Sequence, residues 1–152
     1  MLTTLLRPLL RRDRWRDRAA RLQAIDPLRP RESDKAWAIA ALRDEARSLR
    51  RHLERSREPL AEEYGVYSVS LALFVARLRD VRAIESLALV TEIVPAVPRA
   101  LVEFGDAAVD PVIRTLKVPS LHRSAAWTLR ALLGSGRLSS AKAVAVARAL
   151  AQ

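Results

Sequence analysis

Arginine is the residue type whose number and spacing in this sequence most suggest chemistry. It supplies 24 of the 27 basic side chains, against 17 acidic ones, and the formal net charge is +10. Two rows of arginines advance by three or four residues: Arg7, Arg11, Arg14, Arg18 and Arg21 in the first, and Arg47, Arg51 and Arg55 in the second. On a helix these steps align the guanidinium groups on one face, where they bind phosphates or carboxylates in a bidentate manner.

The same rows have a second interpretation, as solvated faces paired to carboxylates of their own helices. Those carboxylates are Asp13, Asp17, Asp44 and Glu54. Charge is also uneven, since residues 1–58 hold 16 basic and 9 acidic side chains, net +7, and residues 59–152 hold 11 and 8, net +3. An anionic partner should therefore meet the N-terminal third of the chain.

Two tryptophans accompany these cations. Trp127 has Arg123 four residues before it and Arg130 three residues after it, which suits base stacking or a cation-rich interaction site, although packing against a neighbouring helix is the favoured expectation. Trp37 either packs on Trp15 or is exposed on the basic face. The candidate binding residues are Arg11, Arg14, Arg18, Trp37, Arg47, Arg51, Arg55, Arg123, Trp127 and Arg130.

Residues suited to catalysis or metal binding are scarce. The chain has no Cys, its two His lie 70 positions apart, and it contains no HExxH, Walker A, GxSxG or GxGxxG motif. The adjacent carboxylates Asp44 and Glu45 diverge on a helix and are not expected to share a site. Asp80, Asp106 and His122 lie at turns or helix starts, where capping explains them. We predict no catalytic residue, no metal site and no cofactor.

The elements that position these side chains are predicted to be helices. Apolar residues recur at intervals of three and four, sustained alternation is missing, and most prolines fall near segment ends. The predicted helices cover about residues 9–24, 33–57, 60–79, 81–94, 98–104, 107–117, 120–133 and 139–151, with the second capped by Ser33 or Asp34.

Three of these helices have informative apolar patterns. The first has a narrow stripe, Trp15, Ala19 and Leu22, and the second has a seam, Ile39, Leu42, Ala46, Leu49 and Leu53. The third, at about residues 60–79, has apolar residues all round, with only Ser68 and Ser70 between them. We therefore expect it to be buried on every side at the centre of the domain.

The breaks between helices repeat. Leu78–Leu87 recurs in character as Phe104–Ile113, a shift of 26 residues, and a looser copy follows at Leu133–Ala141. In each copy one helix ends on an apolar residue, a turn follows, and the next helix begins with small residues. In the first two copies the turn contains an Asp. Such a unit is a helical hairpin whose apolar side is covered by stacking neighbours.

These segments resemble HEAT-like repeats of the short bacterial type, similar to those of phycobilin-lyase-related HEAT proteins. Ala76–Ile84 looks like the family's turn into its first helix, Gly105–Ile113 repeats it, and His122–Leu129 looks like a second helix. The match is best over residues 73–133. It departs from the pattern between Thr91 and Pro98, where we expect an irregular turn. The resemblance implies an α-solenoid that serves most often as a protein-binding scaffold.

We therefore predict an all-α fold, a HEAT-like α-solenoid of stacked helical hairpins. Residues 1–58 form a basic helical region within the same domain as the repeats at 59–152. The predicted function is a non-enzymatic adaptor that binds an acidic protein partner. The alternative is nucleic-acid binding that resembles the HEAT-like bacterial DNA glycosylases, whose catalytic Asp and Trp map onto no particular position here.

Other expectations concern assembly and location. The apolar segment Leu2–Leu10 and the terminal helix Ala141–Ala151 leave the solenoid ends open to self-association. The longest apolar stretch, Val66–Ala76, is about half of the ~20 residues that a membrane span requires. With no convincing secretory signal and no Cys, we expect a cytoplasmic protein.

Overall fold

All regular secondary structure in the computed structural model is helical over the residues that it describes, 14–55 and 62–152, with the side chains of 52–54 left aside. This confirms the all-α class. The described helices are α1 (14–24), α2 (Glu32–Arg55), α3 (Glu62–Leu78), α4 (Ile84–Ala88), α5 (Ala96–Glu103), α6 (Asp106–Leu116), α7 (His122–Gly134) and α8 (Ser140–Ala151). Short 3₁₀ turns, Val81–Ala83 and Pro119–Leu121, precede α4 and α7. Within the described ranges, no helix has the length and apolar composition that crossing a lipid bilayer demands.

Helices that follow each other along the chain pack together: α2 contacts α3, α4 contacts α5, and α6 contacts α7. Helix α4 also contacts α2 and α6, helix α6 contacts α8, and α5 contacts both α3 and α7. At the N-terminal side, α1 lays its predicted stripe of Trp15, Ala19 and Leu22 against the same core. Every helix from α2 to α8 thus contacts both a chain neighbour and a helix two positions away along the chain.

The core is built from the predicted apolar seams. On α2, Ile39, Leu42, Ala46 and Leu49 are buried, as the spacing predicted, whereas the side chain of Leu53 lies outside the described residues. The opposite helices contribute fully buried aliphatic side chains of their own: Leu71, Val75, Leu87, Val97, Leu101, Val109, Val112, Leu129 and Leu132. Burial of this apolar surface is the main force that holds the helices together.

The prediction that the third helix is buried on all sides is wrong. Helix α3 buries Tyr67, Leu71 and Val75, but Val66 is 62% exposed and Ser70 is exposed too. Glu62, Val66 and Ser70 are separated by four residues each and share one face of the helix. Val66 and the small Ser70 on this face resembled a buried surface in the sequence, yet no helix of the described residues covers it completely.

The segment predicted as one helix over 81–94 is mostly turns. Helix α4 has only five residues. After it, the amides of Leu89, Val90 and Ile93 donate to carbonyls three residues back, the tighter pattern of 3₁₀ turns, so the α-helix does not continue. The irregular turn expected between Thr91 and Pro98 is present at 89–95. Helix α5 nevertheless begins at Ala96 and holds Pro98 in its first turn, where a helix has no need of the missing N–H.

Helix caps account for several of the polar residues in the breaks. Helix α2 begins at Glu32, earlier than the predicted cap, and Asp34 accepts from the backbone N–H of Arg31 at 3.0 Å from inside the first turn. Asp80 caps the 3₁₀ turn as predicted and accepts from the N–H of Arg82 at 3.0 Å. Ser139 caps α8.

Candidate functional site

Helices α1 and α2 enclose a groove of about 450 Å³ that gathers part of both arginine rows. Arg14 and Arg18 project from α1, and Arg47 and Arg51 project from α2. We call this feature the Arg groove; it is lined by Arg14, Trp15, Arg18, Asp44, Glu45, Arg47, Ser48, Arg51 and Tyr64. Four guanidinium groups and two carboxylates therefore face one depression, which the sequence spacing did not reveal because the rows lie on different helices.

The floor of the Arg groove is an ion-pair network centred on Glu45. This carboxylate is 5% exposed and accepts from the Arg18 guanidinium at 2.9 Å and from the Tyr64 hydroxyl. The same guanidinium donates to Asp44 at 3.1 Å. Burial together with the Glu45 carboxylate raises the pKa of Tyr64 well above its ordinary range, so this hydroxyl stays protonated as a donor.

This network corrects two expectations. Asp44 and Glu45 do share a partner, because the planar fork of Arg18 is wide enough to reach both carboxylates. Arg18 is consequently committed to holding α1 against α2, and its pairing lies between helices instead of within α1. The remaining cations of the groove differ: Arg14, Arg47 and Arg51 are exposed, and none of them pairs with a carboxylate in the described ranges.

Aromatic rings of α1 and α3 pack together beside the Arg groove, which Trp15 and Tyr64 also line. The Trp15 ring meets Tyr64 edge-on at 5.9 Å and stacks on Tyr67 at 6.3 Å between centroids. Trp15 therefore packs on α3 and not on Trp37. The Trp37 ring is half-buried, contacts the core, and carries the Arg21 guanidinium at 4.6 Å from its centroid. Trp37 does not line the Arg groove.

A second depression lies between α5 and α7. It has a volume of about 380 Å³, and we call it the Trp127 pocket; its lining is Glu92, Pro95, Pro98, Arg99, Arg123, Ser124 and Trp127. Trp127 is 49% exposed, so the expectation that it is packed against a neighbouring helix is wrong. The reason is local: Ala125, Ala126 and Leu129 supply the buried face of α7, which turns position 127 outward.

The remaining candidate residues fall outside both depressions. Arg55 and Arg130 are exposed on α2 and α7 but line neither feature, and Arg11 lies outside the described residues, as does Arg7. Sequence reasoning missed Arg99, Pro95 and Pro98 as binding candidates because they belong to a different helix from Trp127. The sequence signal for this pocket was the pair of prolines, Pro95 and Pro98, which mark the irregular turn before α5.

The groups considered for catalysis have structural contacts. His122 Nδ1 lies 2.9 Å from the carbonyl oxygen of Leu116, at the end of α6, which agrees with a capping residue. Asp106 accepts from the backbone N–H of Ser139 at 2.8 Å, so it caps the break before α8 and not its own helix. His52 lies outside the described side chains. Across residues 14–55 and 62–152, no three His, Asp or Glu side chains cluster as metal ligands would.

Comparisons with known proteins supply no relative. No protein-family model matches the chain, and neither the curated proteins nor the solved structures contain a significant match. The geometry of the two depressions is therefore the basis for any functional argument.

Proposed function

We propose that this chain is a short HEAT-like stack of helical hairpins that acts as a non-enzymatic adaptor and holds an acidic protein partner in the Arg groove. The residues that carry the proposal are Arg14, Arg47 and Arg51, positioned by the Arg18–Glu45 pair. The groove belongs to the N-terminal part of the chain, where the positive charge is concentrated.

The pattern of helix contacts supports the stacked architecture. The hairpin partners α2–α3, α4–α5 and α6–α7 also contact their counterparts in the next hairpin, α2 to α4 to α6 and α3 to α5 to α7, and α8 continues the first series. Ion pairs repeat along that series. Glu85 of α4 pairs with Arg114 of α6, and Asp110 of α6 pairs with Lys142 of α8 at 2.8 Å. In both pairs the acid precedes the base by about one repeat.

The observation that carries the binding proposal is the convergence, on a preformed groove, of cations that form no ion pair with a described carboxylate. The Arg18–Glu45–Tyr64 network joins α1, α2 and α3, so the backbone positions from which Arg14, Arg47 and Arg51 project are set before any partner arrives. A fixed spacing of the cations lowers the entropic cost of binding, because only the arginine side chains remain to be ordered. Guanidinium groups also enrich interaction hot spots through bidentate contacts.

The carboxylates of the groove favour a protein over a nucleic acid. Asp44 and Glu45 lie among the cations, and Asp44 is half-exposed. A phosphate backbone carries uniform negative charge and is repelled at these positions, whereas a protein surface can oppose Asp44 with a cation or a hydroxyl. Exposed Trp127, the residue best suited to base stacking, lies in the other depression.

Fluorescence anisotropy with two labelled probes tests the proposal. One probe is a ten-residue peptide that alternates glutamate and serine, and the other is a short DNA duplex. We expect the peptide to bind the protein, and the double variant Arg47→Glu/Arg51→Glu to weaken that binding by about tenfold or more. The matched control is Arg148→Glu on α8, an exposed arginine without an ion pair in the described residues, which should change binding by less than about twofold.

Two outcomes contradict the proposal. Equal weakening by Arg148→Glu means that the peptide senses net charge and not the groove. If the duplex binds more tightly than the peptide, and the logarithm of its binding constant falls with the logarithm of salt concentration by about 0.9 for each of several neutralised phosphates, the groove is assigned to nucleic acid.

A further inference from the structure

Trp127 and the residues around it form a second depression, distinct from the Arg groove. We propose that the Trp127 pocket receives an acidic peptide segment of a partner protein, with one large apolar side chain seated on the indole and flanking carboxylates bound by Arg99 and Arg123. The proposal goes beyond the function assigned to the Arg groove, and neither depends on the other.

The apolar part of the pocket is shaped for a single side chain. Trp127 is 49% exposed on α7, and exposed Pro95 and buried Pro98, at the start of α5, line the same pocket. The pocket volume of about 380 Å³ accommodates one aromatic or large aliphatic side chain and part of its backbone. An exposed indole in a pocket that rigid prolines also line binds such a group with little loss of conformational entropy.

The charged part of the pocket selects the residues beside that side chain. Arg99 and Arg123 are exposed, come from the two helices that form the pocket walls, and pair with no carboxylate of the described chain. Tryptophan and arginine together are the residues most enriched in interaction hot spots. Two guanidinium groups around one indole complement a segment that has acidic residues on both sides of an apolar one.

Glu92 forms no ion pair with Arg99 or Arg123. One of its carboxylate oxygens accepts from the backbone N–H of Ser124 at 3.1 Å, in the first turn of α7, where a negative charge stabilises the helix. The Thr91 and Ser124 hydroxyl groups are hydrogen-bonded at 2.7 Å beside it. These two contacts fasten the turn at 89–95 to α7, so the pocket exists before a ligand binds.

A peptide fits the pocket better than a nucleic acid. Single-stranded nucleic acids bind through a series of stacking rings along a cationic track. The Trp127 pocket offers one indole, and the Glu92 carboxylate stands at its rim. This arrangement suits one anchor side chain with discrete carboxylates beside it.

NMR titration of the ¹⁵N-labelled protein tests the proposal through the indole N–H signals of its three tryptophans. The probe is the capped pentapeptide Asp-Asp-Phe-Asp-Asp, compared with a peptide with alanine in place of phenylalanine and one with lysine in place of aspartate. The Trp127→Phe variant assigns the Trp127 signal by its disappearance. We expect the acidic phenylalanine peptide to shift this signal and to bind at least about fivefold more tightly than either comparison peptide.

Variants then show which side chains contribute to binding, measured by the fluorescence anisotropy of the labelled acidic phenylalanine peptide. Trp127→Ala and Arg123→Glu should each weaken binding by about fivefold or more, and Trp127→Phe should retain most of it. Leu28→Ala and Arg148→Glu are controls for the loss of an exposed apolar group and of an exposed cation. In the NMR titration, the Arg47→Glu/Arg51→Glu variant should still show the shift of the Trp127 indole signal on addition of the acidic phenylalanine peptide, because this signal reports the Trp127 pocket and not the Arg groove.

Three results overturn the proposal. An unmoved Trp127 signal with all peptides means that the pocket binds no such segment. If the lysine peptide binds as tightly as the acidic phenylalanine peptide, Arg99 and Arg123 do not select for acidic residues. Tighter binding of a ten-nucleotide oligothymidylate than of the acidic phenylalanine peptide, lost in Trp127→Ala, assigns the pocket to base stacking instead.

Discussion

Arg18 of α1 and Glu45 of α2 are 27 residues apart in the chain, and the guanidinium donates to the carboxylate at 2.9 Å. The second oxygen of Glu45 accepts from the Tyr64 hydroxyl of α3, so one carboxylate joins three helices. Glu45 is buried and the Arg18 side chain is 27% exposed. Removal of the cation leaves a carboxylate in a poorly solvated position with one neutral donor.

We therefore expect Arg18→Ala to lower the free energy of unfolding by about 2 to 4 kcal/mol, somewhat less than the ~3–5 kcal/mol for breaking a fully buried pair, because the Arg18 side chain is 27% exposed. Urea denaturation followed by circular dichroism measures the change. Arg148→Ala, which removes an exposed arginine of α8, should cost less than about 0.5 kcal/mol. If both variants lose the same small amount of stability, solvent screens the Arg18–Glu45 pair. The apolar stripe of α1 alone then holds this helix in place.

The two tyrosines of the chain, Tyr64 and Tyr67, give a spectroscopic prediction. Burial raises the pKa of both hydroxyl groups well above the ordinary value, and the nearby Glu45 carboxylate raises it further. A group with a raised folded-state pKa adds stability that is complete below its unfolded pKa of about 10 and is lost as the pH rises above it. The protein should thus lose stability in strong alkali.

Absorbance at the tyrosinate band, recorded together with circular dichroism, measures this. We expect the folded protein to show little tyrosinate at a pH of about 10.5, where tyrosines in denaturant are mostly ionised, and the band to grow as the helices unfold. The same titration in guanidinium chloride is the control. A full tyrosinate signal with intact helicity contradicts the burial of these rings against Trp15.

The sequence predicted what depends on local spacing and failed where distant helices meet. The seam of Ile39, Leu42, Ala46 and Leu49 was predictable because a helix of 3.6 residues per turn places these positions on one face. The partnership of Arg18 with Glu45 was not, since no local pattern says which face of α1 meets α2. Trp127 shows the same limit. Its alanine neighbours suggested that the indole is packed, but the arrangement of distant helices decides whether another helix covers it, and the indole is 49% exposed.

Asp106 predicts how stability depends on pH in acid. The backbone N–H of Ser139 donates to this carboxylate at 2.8 Å and lowers its pKa. A lowered folded-state pKa adds stability that is present above the unfolded value of about 4 and is lost as the pH falls through the folded-state value. Asp106→Asn keeps an acceptor oxygen but removes the charge.

We expect Asp106→Asn to be less stable than the original chain at neutral pH and to approach it as the pH falls through the lowered pKa of Asp106, below which both side chains are uncharged. Urea midpoints measured across this range give the difference. Asp17→Asn, at an exposed position of α1, serves as the control. A constant deficit at every pH would show that the substitution acts through shape and not through the ionised carboxylate.

Two glycines should respond in opposite ways to alanine. Gly105 precedes α6 with φ 59° and ψ −130°, a conformation that side chains disfavour, and a Cβ there would lie 3.4 Å from the carbonyl oxygen of Arg137. Gly65 lies inside α3, where an added Cβ meets nothing within 4 Å. We expect Gly105→Ala to destabilise the protein by about 1 to 3 kcal/mol and Gly65→Ala to stabilise it by about 0.5 to 1 kcal/mol. Thermal and urea unfolding of both variants measure the two effects, and a stabilised Gly105→Ala would contradict the turn that sets α6 beside the break before α8.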